Sequence, residues 1–125
     1  MVLDTDVLIW FLRGNRKAAR LIEGLEDRGL SAVSYMELVQ GARNRQELLA
    51  LKDLLGRIGA TVLPLSENIG HRAAIYMEEY CLQFGLQMAD ALVAATAVEN
   101  RLTLCTANKK HYKAVKDLDI KVFRP

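Results

Sequence analysis

A parallel β-sheet of four to five strands held between two layers of helices, a three-layer α/β/α arrangement, is the fold this sequence predicts. Three observations predict it. Short apolar runs of strand length alternate with longer segments whose apolar residues recur at helical spacing, as in a parallel sheet with crossover helices. Eight glycines and two prolines in 125 residues are too few for the turns of an all-β sandwich. The length, with 51% hydrophobic and 26% charged residues, suits one domain spanning residues 1–125 with a single core.

Val2 and Leu3 open a short apolar strand that meets Asp4 at once, and Asp4-Thr5-Asp6 offers cap chemistry for a helix from about Val7 to Leu12. Arg13-Gly14-Asn15 breaks the pattern, and Ala18, Leu21, Ile22 and Leu25 mark a second helix that ends at Arg28-Gly29. Leu30 to Val33 reads as a buried strand. Ser34 is then the cap of a third helix, with Glu37 three residues on as in a capping box. After Gly41, Leu48, Leu49, Leu51, Leu54 and Leu55 lie on a helix that stops near Gly56 to Gly59, and Thr61 to Leu65 is a strand running into a turn. Ser66 caps a long amphipathic helix reaching Phe84. Gly85 interrupts, and Met88 to Asn100 is a helix dense in alanine. Leu102 to Cys105 is a strand, Asn108 to Tyr112 a loop, and Lys121 to Phe123 a last strand. In such sheets ligands bind beyond the carboxyl ends of the strands, here just after Leu3, Val33 and Cys105.

A net charge of +2 permits a polyanionic partner without demanding one. The apolar start, Met1 to Leu12, carries Asp4 and Asp6 and no preceding basic region, which argues against a signal peptide or membrane span and for a cytoplasmic protein. Cys81 and Cys105 stand in separate apolar contexts without CxxC or histidine spacing, so they read as reduced, buried thiols.

Most acids, among them Glu23, Glu26, Asp27, Glu78, Glu79, Asp117 and Asp119, sit among polar residues and read as solvated faces. Asp4, Glu37 and Asp90 each interrupt an apolar run. Singly, each has a structural explanation: a helix cap, half of a capping box, a first-turn acid opposing the helix dipole. Together, at strand ends and helix starts, they are three carboxylates that would repel one another in one pocket. A hard divalent cation, Mg²⁺ or Mn²⁺, resolves that repulsion, and nothing in the chain offers the His/Cys cluster of a zinc site. Asp6 either faces the same pocket as a weak or water-mediated ligand or caps the helix, with capping favoured.

Thr106-Ala107-Asn108-Lys109-Lys110-His111-Tyr112 follows a strand and joins small polar groups to cations. Lys109 and Lys110 suit backbone phosphates. Tyr112 either stacks on an unpaired base or closes the core, and closing the core is preferred. Arg13, Arg16, Lys17 and Arg20 form a second basic group, which as a charge run supports an anionic partner only weakly.

These segments, in this order, resemble the PIN-domain nucleases and most closely VapC-type toxins of toxin–antitoxin pairs. The matching stretches are Leu3-Asp4-Thr5-Asp6-Val7-Leu8-Ile9, Ser34-Tyr35-Met36-Glu37-Leu38 with Gly41, Asp90 to Ala97, and Leu104-Cys105-Thr106-Ala107-Asn108, covering essentially the whole chain. The resemblance implies a Mg²⁺- or Mn²⁺-dependent endoribonuclease that cuts structured RNA such as tRNA or rRNA. It implies Asp4, Glu37 and Asp90 as catalytic metal ligands, and Thr106 and Asn108 as polar residues lining the site. It also implies a homodimer, held inactive by a cognate antitoxin that inserts a segment towards the acidic pocket. The family pattern often has a further acid where this chain has His111, a departure that bears on whether a second metal ion is held. Two other readings compete. Asp4-Thr5-Asp6-Val7 also fits the opening of haloacid-dehalogenase-type phosphatases, with Asp4 as nucleophile, although no matching downstream motif exists. A non-catalytic PIN-like binding module would keep the fold and use its acids to hold a partner's arginines.

Overall fold

The computed structural model describes residues 1–125. Its five strands are β1 (Val2–Leu3), β2 (Gly29–Ser31), β3 (Thr61–Leu63), β4 (Leu104–Thr106) and β5 (Ile120–Val122), and its six helices are α1 (Thr5–Leu12), α2 (Arg16–Glu23), α3 (Ala32–Gln40), α4 (Arg45–Arg57), α5 (Glu67–Phe84) and α6 (Met88–Glu99). The strands form one parallel sheet in the order β3-β2-β1-β4-β5. Successive strands step outward from β1 in one direction as far as β3. The chain then crosses back to the other side of β1 for β4 and β5. The point where the order reverses is therefore the β1–β4 pair, with Val2 opposite Leu104 and Leu3 opposite Cys105.

The sheet is covered on both faces, and the pleat divides the core accordingly. Val2 and Leu104 enter a cluster with Val33, Ile69, Ala73, Tyr76 and the alanines of α6. Leu3, Leu30 and Cys105 enter the other, with Val7 and Leu8 of α1, Ala18 and Ile22 of α2, and Leu51 and Leu55 of α4. Helix α6 is buried around much of its circumference, and its small alanine side chains let it pack closely against both α5 and the sheet. No helix is long and apolar enough to cross a membrane.

Local chemistry sets the element ends. Asn15, Asn44 and Ser66 each accept a hydrogen bond from the backbone N–H three residues on, capping α2, α4 and α5. Gly85 closes α5 at φ 70°, a left-handed conformation that glycine adopts without strain. Several expected boundaries move. Strand β2 ends at Ser31 rather than Val33, because the Ser31 hydroxyl accepts from Val33 N at 2.9 Å and starts α3 there. Ser34 therefore lies inside the helix, its buried hydroxyl without a partner, and its expected capping box with Glu37 does not form. Strand β4 ends one residue later than expected, at Thr106, and β5 begins one residue earlier, at Ile120. Asp117 is more than a solvated acid: it accepts hydrogen bonds from Arg72 and from the Tyr76 hydroxyl, tying α5 to the segment before β5. Cys105 is buried, and burial pushes its thiol up to about 11, whereas Cys81 is only partly buried; neither is in a disulfide.

Arg28 fastens the base of this layer. Its guanidinium donates to the carbonyls of Leu25, Ile58 and Glu23 at 3.3, 2.8 and 3.2 Å, joining the C-terminal ends of α2 and α4 and meeting the negative end of each helix dipole. Arg28→Met keeps much of the apolar stem and removes every donor. The expected result is a loss of about 2 kcal/mol in urea unfolding, given the usual worth of hydrogen bonds to a charged group. Unchanged stability would rule the clamp out.

Candidate active site

The structure places the candidate acids around the reversal of the sheet order. Asp4 stands directly after β1 and is only 7% exposed. Its backbone N–H donates to the Cys105 carbonyl at 2.9 Å, so the residue is pinned to β4 before its side chain is considered. Asp4 also caps α1, because Oδ1 accepts from Thr5 N at 2.8 Å. The other oxygen, Oδ2, accepts from Thr106 Oγ1 at 2.8 Å. The helix cap and the tie to β4 therefore coexist in one side chain. Burial and the charge of Asp6 push the Asp4 carboxyl up to about 6, against the donors Thr106, Tyr112 and Thr5.

Asp6 does not cap α1, contrary to expectation. Its Oδ2 accepts from Asn108 Nδ2 at 2.9 Å, Ala107 N at 3.1 Å and Thr106 Oγ1 at 3.3 Å, while Oδ1 is buried and has no partner. Asp6 thus anchors the turn that leaves β4. Thr106 completes the arrangement by accepting from Asn108 N at 3.0 Å while donating to the acids. Thr106 and Asn108, which the resemblance implied as site-lining residues, thus stand beside Asp4 and Asp6.

Glu37 comes from the second turn of α3 and reaches across to accept from Thr5 Oγ1 at 2.9 Å, on the exposed rim. Asp90 lies in the first turn of α6, half-buried. Burial pushes its carboxyl up, His111 and the Tyr112 hydroxyl pull it down, and the charges of Glu37 and Asp6 push it up further. His111 Nδ1 lies 3.9 Å from Asp90 Oδ2. Lys109 and Lys110 are exposed on the 3₁₀ turn Lys109–His111 beside these acids. Tyr112 is 1% exposed and so has no face to offer a base; it closes the core, with its hydroxyl donating to Asp90 Oδ1 at 3.3 Å. The basic group from Arg13 to Arg20 lies elsewhere, beginning about 14 Å down the axis of α1 from Asp4.

Asp4, Asp6 and Glu37 have no lysine or arginine within ion-pair distance. As they stand, no three of the chain's His, Cys, Asp and Glu side chains are drawn together tightly enough to enclose an ion unaided. The donor set nevertheless fits a hard divalent cation. It is all oxygen, it carries uncompensated negative charge, and one of its oxygens, Asp6 Oδ1, is buried and unpaired. A groove of about 600 Å³ opens beside Glu37, lined mainly by Ile9, Leu12, Leu38, Leu51 and Leu54.

Comparison with known proteins finds relatives along nearly the whole chain. The PIN domain profile matches residues 1–117. Ribonuclease VapC10 of Mycobacterium tuberculosis is 34% identical over 123 aligned positions, covering 94% of this chain and 90% of that protein. Ribonuclease VapC1 of Methanocaldococcus jannaschii is 25% identical, covering 98% and 86%. Among solved structures, a toxin–antitoxin complex from Klebsiella pneumoniae superposes with a TM-score of 0.78 at 25% identity, covering 94% of this chain and 93% of that one.

Proposed function

The chain belongs to the PIN-domain family, and from that premise we propose that it is a VapC-type endoribonuclease, the toxin of a toxin–antitoxin pair. In this reading residues 1–125 form one nuclease domain that acts in the cytoplasm on structured RNA such as tRNA or rRNA. The observation that carries it is the meeting of Asp4, Asp6, Glu37 and Asp90 at the β1–β4 reversal, with no basic side chain neutralising the first three. Family membership leaves no place for the phosphatase reading of Asp4-x-Asp6.

Asp4, Glu37 and Asp90 would hold a Mg²⁺ or Mn²⁺ ion, with Asp6 Oδ1 available to it. The chemistry such an ion supplies is charge neutralisation at the phosphodiester and activation of water. The protein's own part is positional. Thr106 and Thr5 fix the Asp4 oxygens, Asn108 and Ala107 hold Asp6, and exposed Lys109 and Lys110 receive the backbone phosphates flanking the cut. The groove beside Glu37 suits the antitoxin: an apolar helix face would fill it, followed by a basic side chain reaching the unneutralised acids. A homodimer is the expected assembly.

The test is cleavage of a mixed RNA pool with Mg²⁺ or Mn²⁺, then with excess chelator. Cleavage should stop on chelation. It should also fall by about a hundredfold or more in Asp90→Asn, but by less in His111→Ala, because the exposed imidazole stands 3.9 Å from its neighbour without a hydrogen bond. Cleavage that persists in chelator sinks the metal mechanism. Equal losses in the two variants would make His111 a full ligand, and a complete absence of cleavage with every RNA offered would favour the binding module.

A further inference from the structure

We infer that Tyr112 is a positioning residue whose buried hydroxyl sets the orientation of Asp90 and so decides which of its oxygens faces the pocket. The inference rests on the proposed metal site, but it concerns a residue whose sequence context suggests only core packing.

The ring of Tyr112 belongs to the core between the sheet and α6, with Val2, Leu104 and the α6 alanines, and it is 1% exposed. Phenylalanine would fill that space equally well. A phenol there brings a polar O–H out of water, which costs free energy unless it is partnered. The partner is Asp90, whose Oδ1 accepts from the Tyr112 hydroxyl at 3.3 Å. Asp4 also lies close enough to be stabilised by the same hydroxyl. Burial and the charges of Asp4 and Asp90 push ionisation of the phenol far above its ordinary value, so it remains a neutral donor.

Asp90 has no other hydrogen bond to fix it. It sits in the first turn of a helix whose N-terminus has no side-chain cap, and its second oxygen, Oδ2, faces only the His111 imidazole at 3.9 Å. With Oδ1 engaged by Tyr112, Oδ2 is the oxygen left for the pocket. The hydroxyl is itself placed from the catalytic side. Asp6, Thr106 and Asn108 hold the chain leaving β4, and the Tyr112 N–H donates to the Lys109 carbonyl at 3.0 Å, closing the turn that delivers the ring. Groups that hold a ligand's free oxygen in this way typically change metal affinity by ten- to a hundredfold.

The test is Mn²⁺ titration of the full chain followed by electron paramagnetic resonance, for wild type, Tyr112→Phe, Asp90→Asn and the double variant, with the melting temperature of each. Tyr112→Phe should melt within a few degrees of wild type yet bind Mn²⁺ about tenfold more weakly. In the Asp90→Asn background the same change should cost less than twofold, because its effect runs through Asp90. Equal Mn²⁺ affinity in wild type and Tyr112→Phe would overturn the positioning role and leave the metal site standing. An undiminished tenfold loss in the Asp90→Asn background would overturn it too, by showing that the hydroxyl acts elsewhere. If wild type binds no Mn²⁺, the proposed metal site and this inference both fall.

Discussion

Asp4→Asn is expected to lower RNA cleavage by about a thousandfold, a loss of about 4 kcal/mol of transition-state stabilisation, while the fold survives. The fold survives because asparagine keeps an oxygen for Thr5 N, and the Thr106 hydroxyl can turn to accept from the new amide. The loss is large because Asp4 is the most buried of the four acids and the one fixed by backbone and side chain alike. A second consequence follows for the metal-free protein. Its Asp4 carboxyl is held at about 6, above the ordinary 3.8, chiefly by burial and secondarily by Asp6. The ionised group therefore opposes folding. The penalty is absent below about pH 4, builds between 4 and 6, and is complete above 6, where it amounts to about 3 kcal/mol. Urea unfolding of metal-free wild type should thus show about 1 kcal/mol more stability from this group at pH 5 than at pH 7.5, and Asp4→Asn should lack that gain. If the variant shows the same gain, Asp4 is not the group responsible.

Asp6→Ala should cost about 3 kcal/mol of stability, the second large effect. One oxygen of Asp6 serves Asn108 Nδ2, Ala107 N and Thr106 Oγ1, and removing it leaves those donors unpaired in a partly buried turn. Amide exchange from Ala107 to Tyr112 should quicken before the rest of the sheet opens. Asp6→Asn separates the two duties of the residue. Its amide oxygen can keep the three donors, so stability should stay close to wild type, while the charge at Oδ1 is gone. Weakened Mn²⁺ binding in that variant makes Asp6 a ligand. Wild-type stability in Asp6→Ala would end its role as an anchor.

How much of this the sequence disclosed depended on the range of the interaction. Asp4, Glu37 and Asp90 could be picked out because a carboxylate inside an apolar run needs a reason, and that mismatch is local. The alternation of strands and helices was equally readable, since periodicity is local too. Ser31 and Ser34 show where local reading fails. Both precede helical residues, both suit a cap, and the apolar Ala32-Val33 between them fits a strand as well as the first turn of a helix. Only packing decides between them. Asp6 failed for a longer-range reason: as a cap it needs neighbours in sequence, whereas its partners lie about a hundred residues away on the other side of β1. The order of the strands, and hence the reversal that collects the acids, has no local signature at all. Tyr112 was half legible, its ring as core and its hydroxyl hidden by the choice of partner.

The pairing of β1 with β4 also bears on when the site comes into being. Asp4 is made 102 residues before Thr106, and their hydrogen bond closes the longest loop in the sheet. Contacts so distant along the chain form slowly, since the loop entropy must be met before the contact rewards it. On the ribosome, Asp4 must wait until β4 has emerged and docked. A nascent chain ending before Thr106 would carry Asp4, Glu37 and Asp90 yet lack the strand and turn that hold them in place. A nuclease assembled in this way would be inert until Thr106 had been made and docked, leaving its cell only the finished fold to restrain.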